Sequence, residues 1–256
     1  MDSNISVQLV ANAGIFLRYH GVGILIDGLF RDAPAPFLSP DCSVRERLLQ
    51  AGPPYGPADH IFFTHEHADH FSALETIEYL HRHPVRSVFL PRPAETDLTK
   101  LLQVCSAAGV PCHLLQHDMP AAPIPLGGDI SVQCFFTRHL DALYAHIPHV
   151  CYLFSFGAQK LFITADADYR YEMFDFLPHT TLDAAFLNPL FFNALSSKRL
   201  FRGSIAAQRC FVYHIPSGAD TVGAGMRAML ERSLSRWDCT RGRAILLEDP
   251  AQQYLL

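Results

Sequence analysis

The sequence carries little charge and concentrates neither sign. Asp, Glu, Lys and Arg make up 18% of its 256 residues, and the net charge is -5. A duplex-binding protein needs a basic face. Only Lys198, Arg199 and Arg202 gather here, and a short solvated loop accounts for them, so no nucleic-acid partner is expected. No apolar run approaches the roughly 20 residues that span a bilayer. The opening MDSNISVQLV has neither the basic nor the apolar region of a signal peptide. No C-x-x-C pair occurs among the seven scattered cysteines (Cys42, Cys105, Cys112, Cys134, Cys151, Cys210, Cys239). An odd number in mostly apolar segments suits reduced, largely buried thiols rather than a disulfide framework. Low-complexity stretches and linkers are absent too. The expectation is a cytoplasmic protein with no membrane or nucleic-acid partner, acting on a small molecule.

What is present is a core: 49% of residues are hydrophobic. The start reads as a β-meander of SVQLV, IFLRY and ILID, broken by turns at Ala11–Gly14 and His20–Gly23. Prolines 34, 36, 40, 53, 54 and 57 forbid long elements between Gly28 and Ala58, apart from two helical turns in SVRERLLQ. Such a stiffened connection can cover a pocket or simply pack on itself. Next come a strand at His60–Phe63, a helix starting at Ser72 in an S-x-x-E capping box and ending before Pro84, a strand SVFLP, a helix over Glu95–Ala108 closed by Gly109, and a strand VPCHLL. The second half repeats this order with ISVQCFFTRH, HVCYLFSF, KLFITAD, a helix near 170–177, then AAFLNP, QRCFVYHIP and a long helix over Ala219–Trp237. The predicted organisation is one domain, 1–256, with two sheet-containing halves.

Chemistry-bearing residues fall where apolar strands stop. Asp27 ends ILID, His65–His70 follow HIFFT, His139 ends QCFFTR, Asp166 ends KLFITA and His214 follows CFVY. Strand ends of one sheet can converge on one edge, where α/β proteins place their sites. The densest segment is FFTHEHADHF, residues 62–71. In H-x-H an extended backbone turns both imidazoles to the same side, and Asp69 and His70 follow in the turn into the helix. Imidazole nitrogens with carboxylates suit Zn²⁺, and also Fe or Mn.

FFTHEHADHF resembles the signature of the metallo-β-lactamase superfamily, and the resemblance covers nearly the whole chain. Asp27, His139, Asp166 in ITAD and His214 match the family's remaining motifs. The resemblance implies an αββα sandwich of two mixed β-sheets flanked by helices. It also implies two divalent metal ions, zinc first, with Mn²⁺ or Fe²⁺ as alternatives. His65, His67 and His139 would hold one ion, Asp69, His70 and His214 the other, with Asp166 bridging and Asp27 orienting the cluster from behind. The implied activity is hydrolysis of a small ester, lactone or phosphoester by metal-activated hydroxide, with Asp69 steering the nucleophile or shuttling a proton. A non-hydrolytic metal-binding or sensor protein of the same fold is the alternative.

The departures leave choices open. TRHLD stands where H-x-x-G is common, so His146 and His149 compete with His139. Ala165 stands where glycine is common, and Asp168 competes with Asp166. Phe30, Phe37, Tyr55 and the NPLFFN segment could supply aromatic pocket walls. Asn188, at the end of AAFL, is the candidate substrate contact.

Overall fold

Apolar runs that alternate with tight turns set the N-terminal architecture. In the computed structural model, which describes residues 5–118, 122–169, 174, 180–196, 207–238 and 242–256, β1 (Ser6–Ala11), β2 (Gly14–Tyr19) and β3 (Val22–Ile26) form the expected antiparallel meander. Its turns use left-handed residues: Asn12 at φ 48°, then His20 at φ 47° with Gly21 at φ 84°. Gly14 has no room for a side chain, because a Cβ there would lie 2.9 Å from the Asp27 carbonyl oxygen. That close approach seats the β1–β2 turn on the corner where β3 ends.

By internal contacts the chain divides into two compact units, 1–119 with 248–256, and 120–247. In the first unit, β4 (His60–Phe62), β5 (Ser87–Pro91) and β6 (Cys112–Leu115) add to β3 in parallel, and β14 (Gln253–Leu255) pairs antiparallel with β1. The seven-stranded mixed sheet has the order β14-β1-β2-β3-β4-β5-β6. Helices α1 (Cys42–Leu49), α2 (Ala73–Arg82) and α3 (Thr99–Ala108) bury Val44, Leu48, Ile77, Leu80, Leu101 and Cys105 against Leu25, Ile61, Phe63, Val88 and Leu90. Each large apolar side chain so buried contributes about 1.5–3 kcal/mol relative to exposure. Arg45 on α1 forks onto Glu75 of α2 (2.7 and 2.9 Å) and reaches Glu78 at 2.7 Å, tying the two helices together.

The second unit holds β7 (Ile124–Gly127), β8 (Ile130–Thr137), β9 (His149–Phe156), β10 (Gln159–Ile163), β11 (Leu182–Leu187), β12 (Ala207–Val212) and β13 (Arg243–Leu246). Its order is β13-β12-β11-β10-β9-β8-β7, antiparallel from β7 to β10 and parallel from β10 to β13. Helices α4 (Pro189–Ser196) and α5 (Thr221–Ser235) pack Phe191, Phe192, Leu195 and Leu230 on Leu153, Phe162, Ala185 and Cys210. The fold is α+β, with two mixed sheets and, among the described residues, five helices. None of these helices is long and apolar enough to cross a membrane.

Several local expectations shift. The helix expected from Glu95 starts at Thr99, because the N–H groups of Ala94, Glu95 and Thr96 go to the Glu66 carboxylate instead. Ser72 does cap α2, accepting from the Glu75 N–H at 3.3 Å. The Glu75 carboxylate turns to Arg45, and the Ser72 N–H goes to the Leu29 carbonyl at 2.8 Å, so the capping box is only half made. NPLFFN forms α4, and Phe191 and Phe192 are fully buried core rather than pocket wall, as are Phe30 and Tyr55. Of the helix expected near 170–177 only residue 174 is described, the Lys198–Arg202 cluster and Cys239 lie outside the described residues, and the six described cysteines are free thiols.

Tyr79 is fully buried, burial pushes its phenol up to about 12, and its hydroxyl accepts the Ala58 N–H at 2.8 Å. Tyr79→Phe would strand that buried donor, and urea denaturation should show a loss of about 1–3 kcal/mol.

Candidate metal centre

Four of the sequence-assigned ligands lie in the first unit and three in the second. In the first, parallel pairing of Ile26 with Phe62 sets the end of β3 beside the chain leaving β4. Asp27 there adopts φ 49°, a conformation costing a non-glycine residue about 1–2 kcal/mol. Its carboxylate is wholly buried and accepts three bonds: from the Thr64 N–H at 2.8 Å, the Thr64 hydroxyl at 2.6 Å and His70 Nδ1 at 2.9 Å. The bond to Nδ1 fixes the His70 ring and leaves Nε2 as its lone-pair nitrogen.

Thr64 extends this control to His65. The single hydroxyl proton goes to Asp27, so the hydroxyl oxygen accepts from His65 Nδ1 at 3.1 Å. His65 Nε2 is therefore a lone pair as well, and it faces His67 Nδ1 at 2.9 Å. The ring centroids of His65 and His70 are 4.0 Å apart. Three imidazoles thus gather in one turn, stabilised by bonds from the N–H groups of His70 and Phe71 to the His67 carbonyl, both 2.9 Å. Asp69 joins them with Oδ2 3.7 Å from His70 Nε2.

Two side chains outside the assigned set hold this turn. The Asn12 amide nitrogen donates to Asp69 Oδ2 at 3.0 Å and to the Asp69 carbonyl at 3.3 Å, so the β1–β2 turn clamps the aspartate. Glu66 alternates away from the two histidines and caps residues 94–96. Burial raises its carboxyl pKa, but the Thr96 side chain and the backbone bonds from Ala94, Thr96 and Glu95 outweigh that and hold it below the usual range. Only the turn-forming asparagine hinted at the first role, and nothing local reveals the second. The Gly28–Ala58 connection does line a groove of about 290 Å³, through Arg31 and Asp32 rather than its aromatics, beside Glu66, Ala68 and Phe71.

In the second unit, His139 bridges Ala167 as an isolated antiparallel pair. The Leu140 N–H bonds to the Asp166 carbonyl at 2.8 Å, and the Asp168 N–H to the Arg138 carbonyl at 2.7 Å. This pairing brings the segment after β8 to the segment after β10. Asp166 then offers Oδ2 to His139 Nε2 at 3.4 Å and Oδ1 to His214 Nε2 at 3.3 Å. His139 Nδ1 accepts the Asp141 N–H at 3.0 Å, which keeps the ring proton on Nε2, so a metal at Nε2 would displace that proton and turn the Asp141 N–H aside.

The competitors are placed as follows. His146 is exposed; His149 is fully buried, with Nδ1 2.6 Å from the Thr137 hydroxyl; and Asp168 is buried just beyond the Asp166 turn. Asn188 is buried too. Its Oδ1 accepts the Phe191 N–H at 2.8 Å, capping α4, and its Nδ2 donates to the Ala165 carbonyl at 2.6 Å. Both ends of the amide are thus engaged with backbone. Burial pushes the Cys151 and Cys134 thiols up to about 12, which keeps them protonated and poor nucleophiles at neutral pH.

The donor chemistry fits a divalent metal. His65, His67, Asp69 and His70 in the first unit and His139, Asp166 and His214 in the second are side chains able to hold one. They are the nitrogen and oxygen donors that zinc, iron and manganese take.

A family model described as the beta-lactamase superfamily domain matches residues 24–189. No curated protein matches the sequence. Among solved structures, the metallo-beta-lactamase fold protein YhfI from Bacillus subtilis aligns with TM-score 0.62 and 13% identity over 99% of this chain and 100% of that one. Igni18, a metallo hydrolase from Ignicoccus hospitalis, gives TM-score 0.62 and 13% identity over 99% of each chain. CmlA, a diiron beta-hydroxylase from Streptomyces venezuelae, gives TM-score 0.60 and 15% identity over all of this chain and 54% of its own.

The bond pattern ranks two substitutions. Asp27→Ala strands three buried donors and should cost about 3 kcal/mol or more, whereas Asn12→Ala removes one amide clamp and should cost about 1 kcal/mol. Urea unfolding of both variants checks the order.

Proposed function

The chain belongs to the beta-lactamase superfamily, and from that premise we propose that residues 1–256 form one metal-dependent hydrolase domain acting on a small ester, lactone or phosphoester. His65, His67 and His139 would hold one divalent ion, Asp69, His70 and His214 a second, and Asp166 both, with zinc foremost and Mn²⁺ or Fe²⁺ as alternatives. The observation that carries the reading is Asp166, whose two oxygens each face a different histidine Nε2 at 3.4 and 3.3 Å. A single carboxylate directed at two imidazoles suits a ligand shared by two ions.

Ions bound there would supply Lewis acidity, polarising a substrate oxygen and acidifying water. The chain's own residues supply the rest. Asp27 keeps the rings of His70 and, through Thr64, of His65 in one tautomer. Asp69, held in place by the Asn12 amide, would steer the nucleophile or shuttle a proton during bond cleavage. The net charge of -5 favours a small substrate over a polyanion. Asn188 remains a substrate contact in this reading only if the groups it caps move.

The second reading is a non-hydrolytic metal protein, favoured by the fold shared with a diiron beta-hydroxylase. Metal analysis with a panel of esters, lactones, thioesters and phosphodiesters on reconstituted protein separates the two. Two equivalents of zinc with turnover is the expected result; two equivalents of metal and no turnover anywhere in the panel would sink the hydrolase. His65→Ala should lower both metal content and turnover, the latter by more than about 100-fold, beyond what supporting residues cost. Unchanged values would overturn the ligand assignment.

A further inference from the structure

Three neighbouring strand ends of the second unit meet at one strained peptide. The parallel strands β10, β11 and β12 run side by side, and the residues that follow them are Thr164-Ala165-Asp166, Asn188 and Tyr213-His214. Ala165 is wholly buried at φ 43°, in the left-handed region that an alanine Cβ disfavours and a glycine enters freely. Both polar groups of this residue are held by side chains from the end of β11 and, one strand further along, the end of β12. The Ala165 N–H donates to the Tyr213 hydroxyl at 2.7 Å, and its carbonyl accepts Asn188 Nδ2 at 2.6 Å.

The two holders are themselves fixed. Asn188 is anchored by the Phe191 N–H at 2.8 Å and, through its own carbonyl, by the Phe192 N–H at 2.9 Å. Tyr213 is fully buried, donates its N–H to the Leu187 carbonyl at 3.1 Å and packs edge-on against Phe186. The residue after Ala165 is Asp166, whose carboxylate direction depends on the Ala165 φ and ψ. A turn of that peptide back into an ordinary conformation would swing the carboxylate away from His139 and His214.

We propose that Tyr213 and Asn188 are positioning residues that hold Ala165 left-handed and thereby aim Asp166 as a metal ligand. The inference rests on Asp166 being such a ligand, as in the hydrolase reading, and not on any turnover. Strain of this kind persists only where surrounding bonds over-determine it, and side chains from the ends of β11 and β12 provide that here. A role limited to satisfying buried polar groups would give the same bonds, so the test must separate aim from stability.

Zn²⁺ affinity of the full chain, read by competition with a chromogenic chelator, provides that separation, with thermal melting measured alongside. Tyr213→Phe should weaken zinc binding by about 10–100-fold, the range for residues that orient ligands. Asn188→Ser, which keeps an N-cap acceptor for α4, should do the same and carries the test if the tyrosine variant fails to fold. Adding Ala165→Gly to either should restore affinity to within about threefold of wild type, because glycine holds the conformation without a clamp. Melting temperature should stay low in the Tyr213→Phe pair, whose Ala165 N–H still lacks its acceptor. Single variants that bind zinc like wild type, or pairs that glycine does not rescue, overturn the clamp. A wild-type chain that binds no zinc overturns the metal reading instead, while one that binds zinc without hydrolysing anything leaves the clamp intact.

Discussion

The ring orientations of His65 and His70 hang on the buried carboxylate of Asp27. An ionised carboxylate cannot sit in an apolar interior without partners, and Asp27 finds all of them within the His cluster and its leading threonine. Thr64 contributes a backbone and a hydroxyl bond, and His70 contributes a ring nitrogen. The same three bonds that solvate the charge therefore fix where the imidazoles point. Solvation and alignment are one requirement here, so neither can be relaxed alone.

The second unit solves the same problem with backbone strain. Ala165 and His214 sit left-handed after β10 and β12, on either side of the end of β11, as Asp27 does after β3 in the first unit. Regular strands would send the chain straight past the sheet edge. A left-handed residue at the strand end reverses it sharply and leaves a side chain facing the edge rather than the core. The cost is conformational energy, borne by side-chain bonds from neighbouring strands.

Much of this was legible in the sequence, for reasons of range. FFTHEHADHF encodes its own geometry because the H-x-H alternation and the Ser72 cap act over a few residues, and β4 and α2 form where the pattern places them. The meander and the parallel strands were readable from apolar runs bounded by turn residues. Non-local partners were not readable. Asn12 looked like a turn residue, and its grip on Asp69 spans 57 positions. Tyr213 reaches back 48 positions to Ala165. The α3 start was misplaced because Glu66, from the ligand motif itself, captures the N–H groups that a helix would have used. α4 was hidden by an aromatic run whose burial on every side masks helical periodicity, although Asn188-Pro189 is a sound helix start. β13 and β14, at four and three residues, are too short to show any period.

The pairing of β14 with β1 has a consequence for the order of assembly. Ser6–Gln8 hydrogen-bond with Gln253–Leu255, and the Gln8 amide reaches the Pro250 carbonyl. On the ribosome, β1 can join β2 at once, but its outer edge waits for nearly all of the remaining sequence to emerge. During that interval the nascent chain exposes a strand edge able to recruit a stranger. Residues 253–255 close that edge, so a chain truncated before them would carry the ligand-bearing strand ends and still leave β1 open to aggregation.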